Sequence, residues 1–265
     1  MAQDILVAVL CKDAFSRNWI SLLFVRDWRT RVVAETSQLE DLAISRQDDF
    51  MKVDFFVVDL DSYRDQPNFL TQVTEVLHPQ AGSQVLYLAS SIDSRMLTTL
   101  RSERFAGLLT KDEIGSSLGW ALTFAAEGKT IFTPESLQAV MEAGLTPPLP
   151  YLVLHARPIP GLTTRQAETA RLAILFSIGR RDLADELKIS DQWSYGMVSE
   201  LYDKLGLSDL FSGQGTPYDF INEDPVIKAR LEDILEELGD SKKARDLESL
   251  AFHLITMPVI EESRE

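Results

Sequence analysis

Asp59 closes an apolar run, VDFFVVDL, with the length and composition of a covered strand, and Lys111 follows a second such run, GLLT. Ligands gather at the carboxyl ends of strands in a doubly wound sheet. A carboxylate held there can be a nucleophile, a metal ligand or a surface charge. Lys111 could pair with Asp59 directly and take the place of a metal, or Asp59, Asp61 and Lys111 could form a plain solvated cluster at the strand ends. Other routes to catalysis are weak. His78, His155 and His253 stand apart from one another, Cys11 is the single cysteine, and no nucleophile elbow, P-loop or dinucleotide motif occurs. FSGQGTPYDF, near residue 215, reads as a hinge instead of a phosphate cradle. The chain is therefore not expected to be an enzyme or to hold a metal or a cofactor.

The elements that would position Asp59 and Lys111 follow from the pattern around them. Ile5–Leu10, 53–60, Gln84–Ala89 and 107–110 are short and continuously apolar, as expected of strands covered on both faces, and 31–34 (RVVA) is a weaker fifth. Helical spacing falls between them at 16–24, 39–48, Phe69–Leu77 and 94–101, and a last helix over 114–127 would stop at Gly128. This is a βα step taken five times. Residues 129–160 combine a short helix with a segment holding Pro147, Pro148, Pro150, Pro158 and Pro160, and they read as a stiff linker. Within it, 151–154 (YLVL) is apolar enough for an edge strand. Beyond Gly161 the periodicity is helical: three helices to Leu207, then helices over 224–238 and 242–255, each with a Leu/Ile stripe to bury.

Composition limits the partners. With 26 basic and 41 acidic residues the net charge is -15, a repulsive background for phosphate backbones and anionic lipid. The tail, 208–265, carries 6 basic and 14 acidic side chains. No apolar run approaches the ~20 residues that span a bilayer, and the start lacks a signal-peptide pattern, so no membrane association and a cytoplasmic location are expected. A lone cysteine suits a reducing compartment.

Residues 1–128 resemble the receiver domain of response regulators, a flavodoxin-like (βα)5 unit. VDFFVVDLDSY is similar to the family's phospho-acceptor strand, and FAGLLTKD with the following IGSSLGWALTFAAEGKTIFTPESL is similar to its last strand, lysine and last helix. On that likeness Asp59 takes the phospho-acceptor position and Lys111 that of the phosphate-pairing lysine. The family holds Mg²⁺ with two acids after the first strand, where this chain has Leu10 and Cys11, with Asp13 nearby; the hydroxyl closing the fourth strand is replaced by Ala89, with Ser90 and Ser91 next to it. In-line transfer to Asp59 would lose most of its electrostatic stabilisation without that metal. A pseudo-receiver is expected.

Residues 161–207 resemble the helix-turn-helix domain of NarL/LuxR-type regulators, through LTTRQAE, LADELKIS and KLGL. The likeness makes 191–205 the recognition helix, with Ala184 allowing close helix approach and Ser190 as its cap. Where the family commonly has Thr-Val-Lys and a following His, this helix has Trp193, Ser194, Tyr195 and Met197, and Lys204 is its one basic residue against Asp191, Glu200 and Asp203. Candidate DNA or interface residues are Arg180, Arg181, Lys188, Gln192, Trp193, Tyr195, Met197 and Lys204. Scattered Arg165 and Arg171 have an ordinary surface reading.

The expected chain is thus an atypical two-component response regulator: receiver-like domain, linker, LuxR-like helix-turn-helix domain and an acidic helical extension over 208–265. Its expected role is transcriptional regulation through DNA, under control of a partner or of the tail, with a homodimer plausible by analogy. The alternative is a protein–protein interaction module that kept the scaffold and lost DNA binding.

Overall fold

The computed structural model describes residues 4–44, 52–66, 68–77, 82–92, 97, 105–158, 162–207 and 244–262. The chain divides into two compact units, Met1–Ala156 with Thr256–Glu265, and Arg157–Ile255.

The first unit is α/β. Strands β1 (Ile5–Leu10), β2 (Thr30–Thr36), β3 (Phe55–Asp59), β4 (Gln84–Ala89) and β5 (Phe105–Thr110) lie in the order β2-β1-β3-β4-β5, all parallel, which is the flavodoxin-like order. Every residue of β3 is buried, as its continuous Phe and Val run requires of a strand with both faces covered. Helices α1 (Ala14–Arg26), α2 (Leu39–Ile44) and α3 (Phe69–Leu77) connect the strands. The helix expected at 94–101 lies outside the described residues except for Leu97, which is buried.

The single last helix expected over 114–127 is two, α4 (Lys111–Ile114) and α5 (Leu118–Ala126). Gly115, at φ 50°, turns the chain between them in a conformation that an L side chain rarely adopts. α5 is buried almost all round, and the Trp120 side chain in its first turn is fully buried.

Residues 129–156 are not a linker. Strands β6 (Thr130–Phe132) and β7 (Tyr151–Ala156), with helix α6 (Pro134–Glu142) between them, carry the parallel sheet beyond β5. Gly144, at φ 70°, closes helix α6, and the prolines that follow at 147, 148 and 150 leave 151–156 free of proline, so that segment keeps every backbone donor for pairing. Nor is β7 an edge. The C-terminal segment Pro258–Glu262 forms β8, which pairs antiparallel with it, Ala156 opposite Pro258 and Leu152 opposite Glu262, closing an eight-stranded sheet. The helical unit is thus an insertion between two paired strands. Ending the chain after Ile255 would bare the edge of β7 and expose a pairing template. We expect the thermal midpoint to fall, by on the order of 5 °C, with concentration-dependent association; calorimetry and light scattering check this.

The second unit is helical: α7 (Thr164–Leu175), α8 (Arg180–Leu187), α9 (Asp191–Lys204) and α10 (Ala244–Ile255). A capping box joins Thr163 and Gln166 at the start of α7. Ala173, Leu183 and Val198 meet in its core with Ile178 and Tyr202. Ala184 is buried between the helices, Lys188 closes α8 at φ 53°, and Ser190 caps α9 by accepting from the Trp193 N–H at 3.2 Å. The expected helix over 224–238, and the FSGQGTPYDF loop before it, lie outside the described residues. The helix expected over 242–255 is α10, which packs on α7.

Candidate functional site

β1 and β3 are neighbours although β2 follows β1 in sequence, so the crevice at their carboxyl ends is the switch point of the sheet. Cys11, just past β1, and Asp59, the last residue of β3, meet there. Asp59 is 1% exposed, and both of its oxygens are taken. Oδ1 receives the Lys111 ammonium at 2.7 Å and the Asp61 N–H at 3.2 Å. Oδ2 receives the Cys11 thiol at 3.0 Å and the Ser62 hydroxyl at 3.2 Å. Four donors match the roughly four lone-pair positions of a carboxylate.

Lys111 reaches this crevice because Thr110 ends β5 and Lys111 opens α4. Its ammonium bridges Asp59 and Asp61, the latter at 2.9 Å. Burial alone would lower its pKa, but the hydrogen bonds and charges of the two carboxylates more than offset this and raise it. Asp61 is tied down further: Ser90 donates its N–H at 2.8 Å and its hydroxyl at 2.6 Å, and Arg64 pairs with the other oxygen at 2.7 Å while reaching the Ser91 hydroxyl at 2.9 Å. Burial works against the Asp61 charge, yet the Ser90 and Lys111 hydrogen bonds win and hold its pKa below the usual carboxylate value. Tyr63 stacks on Phe69 at 3.9 Å and fixes the turn that carries Asp61 and Ser62.

Cys11 is fully buried and its pKa is pushed up to about 11, by desolvation first and then by its hydrogen bond to Asp59. It is a thiol donor at neutral pH, not a nucleophile. A raised pKa means that its contribution is complete below pH 9 and is lost as pH rises toward 11. Lys111 acts in the same direction above its ordinary value of 10.5. We therefore expect stability to fall on the alkaline side from pH 9 upward, and Cys11→Ser to flatten the part between pH 9 and 11, measured by urea denaturation across that range.

The residues do not fit the Mg²⁺ cage of a receiver domain. Leu10 and Cys11 stand at the two acid positions and both are buried. Asp13, the nearest acid, caps α1 by accepting the Ser16 N–H at 2.6 Å. Among the described residues no group of three or more His, Cys, Asp or Glu could hold a metal ion. Ser90, the substitute hydroxyl beside Ala89, serves Asp61 instead of Asp59. The direct Lys111–Asp59 pair was legible as an option in the sequence. Ser62, Arg64 and the Cys11 contact were not; the sole sequence signal was that Ser62 lies three residues after Asp59, the spacing of a turn.

In the helical unit the exposed residues of α9 include Gln192, Trp193, Tyr195, Glu200, Asp203 and Lys204, and Trp193 and Tyr195 are 45% and 60% exposed. Arg181 and Lys188 are exposed as well. Met197 and Ser194 are not on that face: both are buried, because helical spacing places 194, 197, 198 and 201 on the side packed into the unit. Met197 is therefore struck from the contact candidates. The side chain of Arg180 lies outside the described residues. His253 is buried with its Nδ1 2.8 Å from the Ser249 carbonyl, a structural role, and His155 sits 3.9 Å from Glu261 across the β7–β8 pair.

The chain is similar to solved two-component response regulators. One is the response regulator ChrA of a heme-sensing two-component system, at 22% identity over 77% of this chain and 90% of that one, TM-score 0.41. Another is RcsB from Salmonella enterica serovar Typhimurium bound to a promoter in the presence of the phosphomimetic BeF3-, at 18% identity over 77% and 93%, TM-score 0.45. An RcsB–DNA complex aligns at 17% identity over 76% and 92%, TM-score 0.44. No protein-family description and no curated protein matches the chain. Among the described residues no helix is long and apolar enough to cross a membrane.

Proposed function

We propose that this protein is an atypical response regulator of transcription whose receiver-like unit is a pseudo-receiver, controlled by a bound partner or by the 208–243 segment and not by Mg²⁺-dependent phosphorylation. One observation carries the reading: the Asp59 carboxylate is 1% exposed, with the Lys111 ammonium 2.7 Å from one oxygen and three further donors on the pair. No oxygen is left to attack phosphorus, and a cation already occupies the position where charge would have to be neutralised. The test uses the full chain with beryllofluoride and Mg²⁺. The thermal midpoint is expected to move by less than about 1 °C; a Mg²⁺-dependent rise that disappears in Asp59→Asn would overturn the proposal.

For output, Arg181, Lys188, Gln192 and Lys204 are the residues that would meet a duplex, with the acids of α9 opposing phosphate contact. If α9 reads DNA, affinity for genomic fragments should fall steeply with salt, and removing 208–243 should tighten it, since that segment is acidic. A second reading, that α9 docks on a protein, is favoured by the exposure of Trp193 and Tyr195 beside Asp191, Glu200 and Asp203. Absence of salt-dependent binding by both the full chain and the chain lacking 208–243 would select it.

A further inference from the structure

Gly196 occupies the middle of α9, where glycine is the least favourable residue after proline, and the fold has no use for it there. A methyl group added at its Cα would meet nothing within 4 Å, and the residue is exposed. Its absence of a side chain leaves bare backbone in a shallow recess whose rim includes Gln192, Trp193 and Glu200, with Ser190 at one end and the buried Met197 beneath. Trp193 precedes Gly196 by three residues and Glu200 follows it by four, so the three share one stripe of the helix. Glu200 is exposed on the rim of the recess. An indole, a notch and an exposed carboxylate in line form a receptor for a flat cation.

Resting on the protein-docking reading of α9, we infer that this recess receives an arginine from a basic segment of a partner protein. The guanidinium would lie over the bare backbone at Gly196, stack on Trp193 and pair with Glu200. Arginine fits better than lysine because its plane can stack on an aromatic ring and engage a carboxylate with two donors at once. The surrounding charge favours the same partner: α9 carries Asp191, Glu200 and Asp203 against Lys204, on a chain of net charge -15. A nucleic-acid phosphate would meet the opposite field. Gly196 is then explained as a position kept open for an incoming side chain at the expense of helix stability.

The experiment titrates the full chain with a hexa-arginine peptide, a hexalysine peptide and a 20-base-pair duplex, and follows the Trp193 indole N–H by NMR, assigned with Trp193→Phe. The arginine peptide is expected to shift that resonance saturably and more tightly than the lysine peptide. Glu200→Gln should weaken it at least 5-fold, whereas Asp203→Asn, which removes the same charge one turn away, should weaken it less than 2-fold. Gly196→Ala should weaken binding several-fold while raising the thermal midpoint, which separates filling of the notch from loss of fold. Equal effects of Glu200→Gln and Asp203→Asn would reduce the binding to general charge attraction and overturn the inference. A Trp193 resonance that answers neither peptide nor duplex would overturn it while leaving docking through another part of α9. A shift produced by the duplex and strengthened by Glu200→Gln would overturn both the inference and the docking reading.

Discussion

Lys111→Met is expected to cost about 3–5 kcal/mol of folding stability, the range seen when one partner of a buried ion pair is removed. The reason is local. Lys111 is the cation that the 1% exposed Asp59 touches, at 2.7 Å, and the same ammonium screens Asp59 from Asp61 by contacting both. Methionine preserves most of the stem, so packing changes little and the loss reports charge. In the unaltered protein the pKa of Asp61 is depressed, so its contribution is present above 3.8 and disappears as pH falls through the lower folded value. A second substitution identifies the cause. Adding Asp59→Asn to Lys111→Met should recover a large share of the loss, since Asp61 keeps Arg64 and Ser90 as partners. A double-mutant coupling near zero in urea denaturation would mean that Asp59 does not depend on Lys111, and the pseudo-receiver proposal would lose its main support.

Short apolar runs rich in β-branched and aromatic residues are a strong signal for covered parallel strands, and 55–58 (FFVV) and 85–89 (VLYLA) show why the first five strands were legible: they are uninterrupted by polar residues and too short for a buried helix. What lay beyond β5 was hidden by two effects. Five prolines between 147 and 160 signal irregular chain, but proline acts only where it stands, and the proline-free 151–156 pairs on both sides. Its antiparallel partner lies about a hundred residues on, in a segment, PVIEE, too short to announce itself. Long-range pairing leaves no local trace. Within the site, Asp59 and Lys111 were visible because they end strands, whereas Cys11 became a hydrogen-bond donor through the juxtaposition of β1 and β3, a property of topology and not of spacing. Met197 was misplaced for the opposite reason: its type suits an interface, but its position, one residue before Val198 and four before Leu201, puts it with the core.

The added strands also make one glycine indispensable. Gly107 of β5 sits opposite Ile131 of β6, and a Cβ at 107 would lie 2.1 Å from the Ile131 carbonyl oxygen and 2.9 Å from its carbon. Those are main-chain atoms, with no rotamer to move aside, so relief requires β6 to back away from β5. That retreat would strain the Thr110 N–H bond to the Thr133 hydroxyl at 3.0 Å, which fixes the start of α6 to the end of β5 one residue before Lys111. Gly107→Ala is accordingly expected to destabilise the chain by about 3 kcal/mol or more, at the upper end of overpacking effects. An exposed helical glycine behaves in the opposite sense: Gly196→Ala should stabilise by about 0.5–1 kcal/mol. Both substitutions add the same methyl group, but only the one at 107 runs into main-chain atoms, while the one at 196 gains helix propensity in open space. Should Gly107→Ala unfold at the same denaturant concentration as the unaltered chain, β6 could not be packed against β5 at this register, and the eight-stranded sheet would have to end at its fifth strand.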